Sequence, residues 1–307
     1  MRILICSKRD LTSVVILNDL LRQLGDLPDC RFGLLLAERT RQTETVIPEL
    51  TQIKFYERDL PFGIIFPLLD ATAPERPELL TLKALIGHHR MPTAVVRGMR
   101  DAGTRKMIGA FRPDLILSVR FSFIFRPDLI ALPRCGVLNI HPGRLPAYAG
   151  LYPHFHSMMA GEPTLGCTVH RIVDAGIDTG PVVAEASVPI DPRRSAFDHN
   201  LDSHLLGNRL ATGVVAGLLE GRRHDGVPQD LSHRRYNTYP TQGELAEFHA
   251  RGFSLFDVDA YLSLLRRFGL PDAEGDRFQP DLAALGRDTP EFATSHIKDN
   301  PCSTSAF

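Results

Sequence analysis

Five short apolar runs constrain this chain more than any other feature: Arg2–Ser7, Arg31–Ala37, Thr93–Arg97, Asp114–Val119 and Gly136–Ile140. Each is too short for a buried helix, rich in branched aliphatic residues and bounded by turn formers, the pattern of a buried strand. Between the first two, Leu11 to Leu24 repeats apolar residues at helical spacing, so the chain opens as strand, helix, strand. Such a unit makes a parallel pair with a right-handed crossover. The expected fold is therefore α/β, with a mostly parallel, Rossmann-like sheet.

The fifth run ends in chemistry. Asn139 and His141 stand at its close, and Pro142-Gly143 stops any continuation. Two side chains able to hydrogen-bond or titrate are thus left at the carboxyl end of a core strand, where ligands bind in open α/β sheets. Farther on, Gly166–His170 reads as another strand, and Asp174 to Pro181 as a Gly-rich turn carrying Asp174 and Asp178. A strand from Val182 to Ile190 follows. The turn can carry Asp178 back to the mouth of the Asn139 strand and complete an Asn/His/Asp cluster.

The 35 basic and 36 acidic residues nearly cancel, which leaves no global electrostatic drive toward nucleic acid or a membrane surface. No apolar stretch approaches the roughly 18 residues that a membrane span needs. Cys6, Cys30, Cys135, Cys167 and Cys302 are odd in number and lack metal-type spacing, which fits reduced thiols and a cytoplasmic protein. His154, His156 and His170 invite a metal reading, but no Cys or carboxylate completes a ligand set at recognisable spacing. No metal is expected.

The ordered set Asn139-x-His141, Leu145-Pro146, Gly150, Gly166-x-Thr168-x-His170 and Asp174-x-Gly176-x-Asp178-Thr179-Gly180 resembles the core of the folate-dependent formyltransferases. That family includes glycinamide ribonucleotide, methionyl-tRNA and nucleotide-sugar formyltransferases. The resemblance is strong over residues 110–190 and architectural outside them. It implies 10-formyltetrahydrofolate as formyl donor and Asn139, His141 and Asp178 as catalytic residues. Asn139 and His141 would stabilise the formyl oxygen as charge builds on it, and Asp178 would hold the imidazole charged and pass on the amine proton. It also implies a pterin pocket walled by the loop after the fourth strand. Arg120 and Phe121 are candidates there, with Asp174 and Gly176, although Phe121–Phe125 reads equally well as plain core. His154 matches a substrate-side histidine of the glycinamide ribonucleotide branch.

Two departures bear on the acceptor. Ala149 stands where several relatives carry Arg, and SKRDL after the first strand replaces a Gly/Ser-rich phosphate loop. Lys8 and Arg9 are the side chains left there to meet an acceptor. The expected acceptor is a small amine-bearing metabolite, an amino sugar or amino-acid derivative. No nucleic acid or membrane partner is expected, and a second copy of the chain is the other candidate partner. Hydrolysis of the donor and a non-catalytic folate-binding or scaffold role are the alternatives.

Residues 1–194 are expected to form the catalytic domain, 195–285 a smaller helical region and 286–307 a flexible tail. Helices are expected around Glu44–Leu50, Glu78–Gly87 and Asp101–Phe111. Others are expected from a Ser195/Asp198 capping box to Gly221, from Thr241/Glu244 to Gly252, and over Val258–Phe268. His224 to Tyr239 shows no clear period.

Overall fold

All five apolar runs are strands in the computed structural model, which describes residues 1–38, 46–99 and 101–271. They are β1 (Arg2–Lys8), β2 (Arg31–Ala37), β3 (Thr93–Val96), β4 (Leu115–Val119) and β5 (Val137–His141), side by side and parallel in the order β3-β2-β1-β4-β5. A two-residue β6 (Ala149–Gly150) intervenes. Then β7 (Thr164–Ile172) adds antiparallel to β5, and β8 (Val182–Pro189) antiparallel to β7, closing a seven-stranded sheet.

Alternation along the central strands sends neighbours into two cores. Ile3 and Ile5 of β1 join Leu34, Leu117 and Ile140 on one face. Leu4 and Cys6 join Leu35, Ile116 and Val137 on the other. Cys6 and Cys167 are buried as packing residues, and burial pushes the Cys167 thiol up to about 12.

Helix α1 (Leu11–Gly25) follows β1 and is capped by Asp10, whose side chain accepts from the Ser13 backbone N–H. The Pro-punctuated stretch after β2 is more regular than its sequence implies. Helix α2 (Pro48–Lys54) runs through wider π-type turns at Phe55–Asp59 and Pro61–Ile65 into α3 (Phe66–Thr72). Pro48, Pro61 and Pro67 each sit in the first or second position of a segment, where a missing N–H interrupts least. Of the helix expected over Glu44–Leu50, Val46 and residues 48–50 are helical, and residues 44 and 45 lie outside the described residues. Helices α4 (Leu82–His88) and α5 (Ala102–Phe111) start after the N-caps Thr81 and Asp101, a little inside the expected spans. Short helices α6 (Pro127–Ile130) and α7 (Pro153–Met159) flank β5 in sequence.

The division expected at residue 194 is not a division of packing. Residues Met1–Leu270 form one compact unit. Helix α8 (Ala196–Leu219) starts with the expected Ser195/Asp198 capping box but lies along β5, β7, β8 and α1. A Cβ on its Gly207 would stand 2.3 Å from Ile140 and 2.6 Å from Cys167, so the helix backbone meets the sheet where only glycine fits. Asn208 donates to the Ile16 carbonyl of α1 at 3.0 Å, and Ser203 to the Gly166 carbonyl of β7 at 3.1 Å. A boundary read from composition misses this, because the helix's partners lie far away in sequence. Two further helices, α9 (Gln242–Ala250) behind the Thr241/Glu244 capping box and α10 (Val258–Arg266) behind Asp257, complete the unit. Between α8 and α9, the stretch without clear period holds β9 (Tyr236–Asn237), which pairs with β6. The rest of the expected helical region and the expected tail, residues 272–307, lie outside the described residues.

Candidate active site

Antiparallel addition of β7 to β5 builds the centre of the site. The register sets His170 opposite Asn139 and Thr168 opposite His141. The Asn139 amide nitrogen lies 3.0 Å from His170 Nε2, while His170 Nδ1 lies 3.0 Å from the Arg171 carbonyl. A carbonyl only accepts, so Nδ1 carries a proton; an uncharged ring accepts from one Asn139 N–H at Nε2, and a charged ring turns an Nε2–H toward Asp178. The other Asn139 N–H remains for a ligand. His141 Nε2 lies 2.7 Å from the Tyr148 carbonyl and therefore donates to it. Its Nδ1 lies 3.7 Å from Asp178 Oδ1, beyond a direct hydrogen bond but close enough for strong attraction when the ring is protonated.

Asp178 arrives from the Gly-rich turn, at φ +56°. Its Oδ2 accepts from the Gly150 N–H at 2.8 Å, and Oδ1 lies 3.5 Å from His170 Nε2. The turn is pinned from outside. Gln229 donates to the Asp178 and Gly180 carbonyls at 3.1 and 2.6 Å. A Cβ on Gly180 would stand 1.8 Å from the Arg171 carbonyl oxygen, so that position excludes every side chain. Burial pushes the Asp178 carboxyl up, but His141, His170 and the Gly150 N–H together outweigh it and hold the group well below the usual carboxylate range. The structure thus joins Asn139, His141 and Asp178 as expected and adds His170, Tyr148, Gly150 and Gln229. His170 and Gly150 stood in the motif without an assigned role, whereas Gln229 lies in the stretch that carries no local signal.

Asn139, His141, Gly150, His170 and Asp178 line a cavity of about 300 Å³ at the carboxyl ends of the strands, small for a ligand site but within the usual range. A larger depression of about 1700 Å³, near Arg2, Asn18 and Arg267, lies at the amino end of β1 and holds none of the cluster.

The remaining expected residues divide. Phe121 lines the cavity and packs on Phe123 and Phe125, with ring centres 5.6 and 5.4 Å away, so core and wall are one and the same here. Asp174 and Gly176 line it too, joined by a 2.7 Å bond from the Gly176 N–H to Asp174 Oδ1. Arg120 is at the wall, but its guanidinium is committed to Asp10 at 2.7 Å and Glu57 at 3.0 Å. Lys8 lines the cavity 3.7 Å from Asp10. Arg9 is not among the lining residues: it pairs with Glu38 and lies over the Phe62 ring, because successive residues at a strand end point to opposite sides. His154 is buried in the cavity wall, and burial holds it well below the ordinary histidine range, as an uncharged ring. Among the described residues no group of three His, Cys, Asp or Glu side chains is arranged to hold a metal ion, and no helix is long and apolar enough to cross a membrane.

Residues 73–207 match the family model described as formyl transferase, a span that contains Asn139, His141, His170 and Asp178 and continues into α8. A methionyl-tRNA formyltransferase from Nitrosococcus oceani is 29% identical over 161 residues, covering 52% of this chain and 50% of that protein. The chain therefore spans about half the length of such curated relatives. A 4-N formyltransferase from Francisella tularensis shares the fold, with a TM-score of 0.50 at 18% identity over 80% of this chain and 86% of that one. So does glycinamide ribonucleotide transformylase 1 from Symbiobacterium toebii, with a TM-score of 0.51 at 18% identity over 75% and 93%.

Proposed function

The chain belongs to a formyltransferase family, and on that premise we propose that it moves a formyl group from 10-formyltetrahydrofolate to the amine of a small metabolite. The observation that carries the reading is the Asn139/His141/Asp178 cluster at the base of the cavity. The amine nitrogen attacks the formyl carbon, a C–N bond forms, and the bond from that carbon to N10 of the folate breaks. One proton leaves the amine and one reaches N10. The free Asn139 N–H and the Nδ1–H of protonated His141 meet the formyl oxygen as it becomes anionic. Asp178, 3.7 Å from His141 Nδ1, attracts that ring whenever it carries the second proton. A carboxylate held so low is a weak base, so it relays the proton only after the adduct has formed and the nitrogen has turned acidic. Phe121, Asp174 and Gly176 are the proposed folate contacts, and His154 and Lys8 face the acceptor. Arg120 acts through its ion pairs.

A small acceptor fits the size of the cavity and a net charge of −1, which gives none of the counterion-release drive of polynucleotide binding. The name of the Nitrosococcus oceani relative supports an aminoacyl-tRNA acceptor instead. The deciding assay supplies 10-formyltetrahydrofolate with a panel of amino sugars, amino-acid derivatives and initiator methionyl-tRNA, and follows the acceptor's mass gain of one carbonyl unit. Formylated tRNA at rates matching the best small amine refutes the small-acceptor reading. Tetrahydrofolate release with no formylated product identifies a hydrolase.

A further inference from the structure

The loop after β1 leads into the N-terminus of a 15-residue helix, with Lys8 and Arg120 beside it, and such a grouping ordinarily attracts an anion. Here the anion is already present. Asp10 is fully buried. Its Oδ1 accepts from the Ser13 N–H at 2.8 Å, and its Oδ2 lies 2.7 Å from Arg120 and 3.7 Å from Lys8. Arg120 holds φ +57°, a costly conformation for a side-chain-bearing residue, and also pairs with Glu57. Two cations face two carboxylates, so no surplus positive charge is left for a phosphate.

The adjoining wall shows the opposite condition, polar atoms without partners. His204 of α8 is 1% exposed and lines the cavity. Its Nδ1 donates to the Asn200 carbonyl at 2.7 Å, which makes Nε2 a bare acceptor, and that atom has no partner. His154, 8% exposed and lining the same cavity, has an unpartnered Nδ1. Burial pushes His204 down to about 3, so it remains an acceptor at neutral pH. Buried polar atoms without partners are rare, and two on facing elements in one cavity call for a ligand that hydrogen-bonds, donating to His204 Nε2.

We propose that the part of the cavity between His154 and His204 is an acceptor subsite for an uncharged hydrogen-bonding group, a hydroxyl or primary amide, and that it rejects phosphate because the Asp10 carboxylate occupies the anion position. The proposal rests on the formyl-transfer reading for the word acceptor, but its test needs no turnover. In protein labelled with ¹⁵N-histidine, glucosamine shifts the His154 and His204 ring signals, and glucosamine 6-phosphate does so at least tenfold more weakly. Equal or tighter binding of the phosphate ester, or silence of both rings toward both probes, overturns the subsite. For the anion position, thermal melting is followed with about 10 mM inorganic phosphate. Asp10→Ser keeps a helix cap while removing the charge. Phosphate raises its Tm by a few degrees and leaves the unsubstituted protein unmoved. If that variant does not fold, Asp10→Asn, nearly isosteric, takes the same test. Phosphate stabilising the unsubstituted protein equally, or failing to stabilise a folded variant, overturns the role of Asp10.

Discussion

Asp178→Asn tests the centre of the site with the smallest change of shape. The side-chain oxygen that accepts from Gly150 is retained, and the charge 3.7 Å from His141 is lost. At an effective dielectric near 20, a unit charge pair at that distance is attracted by about 4 kcal/mol. Desolvation of the buried carboxylate opposes this, which leaves roughly half as the net loss of support for the protonated ring. Two to three kcal/mol is about 30- to 160-fold in rate, which reaches the lower end of the range that removal of a positioned acid or base produces. Tm falls by a few degrees, because the favourable contacts of the carboxylate outweigh its burial penalty and the variant loses that difference. The assay is kcat and KM on the best acceptor alongside thermal melting. A folded variant with near-normal kcat refutes the role of Asp178, and a change confined to KM makes it a ground-state binder.

Asn139→Ala is expected to lower kcat far more than KM, because the free N–H acts only as charge develops on oxygen; steady-state kinetics with varied acceptor checks this. Gly207→Ala forces a Cβ to within 2.3 Å of Ile140 and 2.6 Å of Cys167, so a loss of about 1–3 kcal/mol in a denaturant melt is expected. His204 gives a pH dependence whose sign is fixed. Its folded pKa of about 3 lies below the unfolded value near 6.5, so the unfolded chain binds the extra proton between them. The stability it contributes is present above pH ~6.5 and lost as pH falls toward 3, at about 1.4 kcal/mol per unit. His204→Leu flattens that slope, which denaturant melts at pH 7 and 5.5 measure.

The strands, most helix starts and the Asn139/His141/Asp178 grouping are legible in the chain because their signals are local. Short apolar runs, Ser195/Asp198 and Thr241/Glu244 caps, and a Gly-rich turn act over a few residues through backbone sterics and hydrogen bonding. The prolines at 48, 61 and 67 show where local signals mislead, since the segment stays helical by shifting its bonding pattern at each of them. What tertiary structure alone decided is who meets whom across long sequence distances. Antiparallel pairing placed His170 against Asn139, and the close fit of Gly207 on Ile140 brought α8, with His204, to the cavity. Gln229 came from a stretch without period to pin the Asp178 turn. Arg120 reads from sequence as a cofactor contact, yet it lies against Asp10 and Glu57, 110 and 63 residues away. A buried charge takes whichever opposite charge the fold brings nearest, because an unpaired one is too costly, and no periodicity in the chain records that choice.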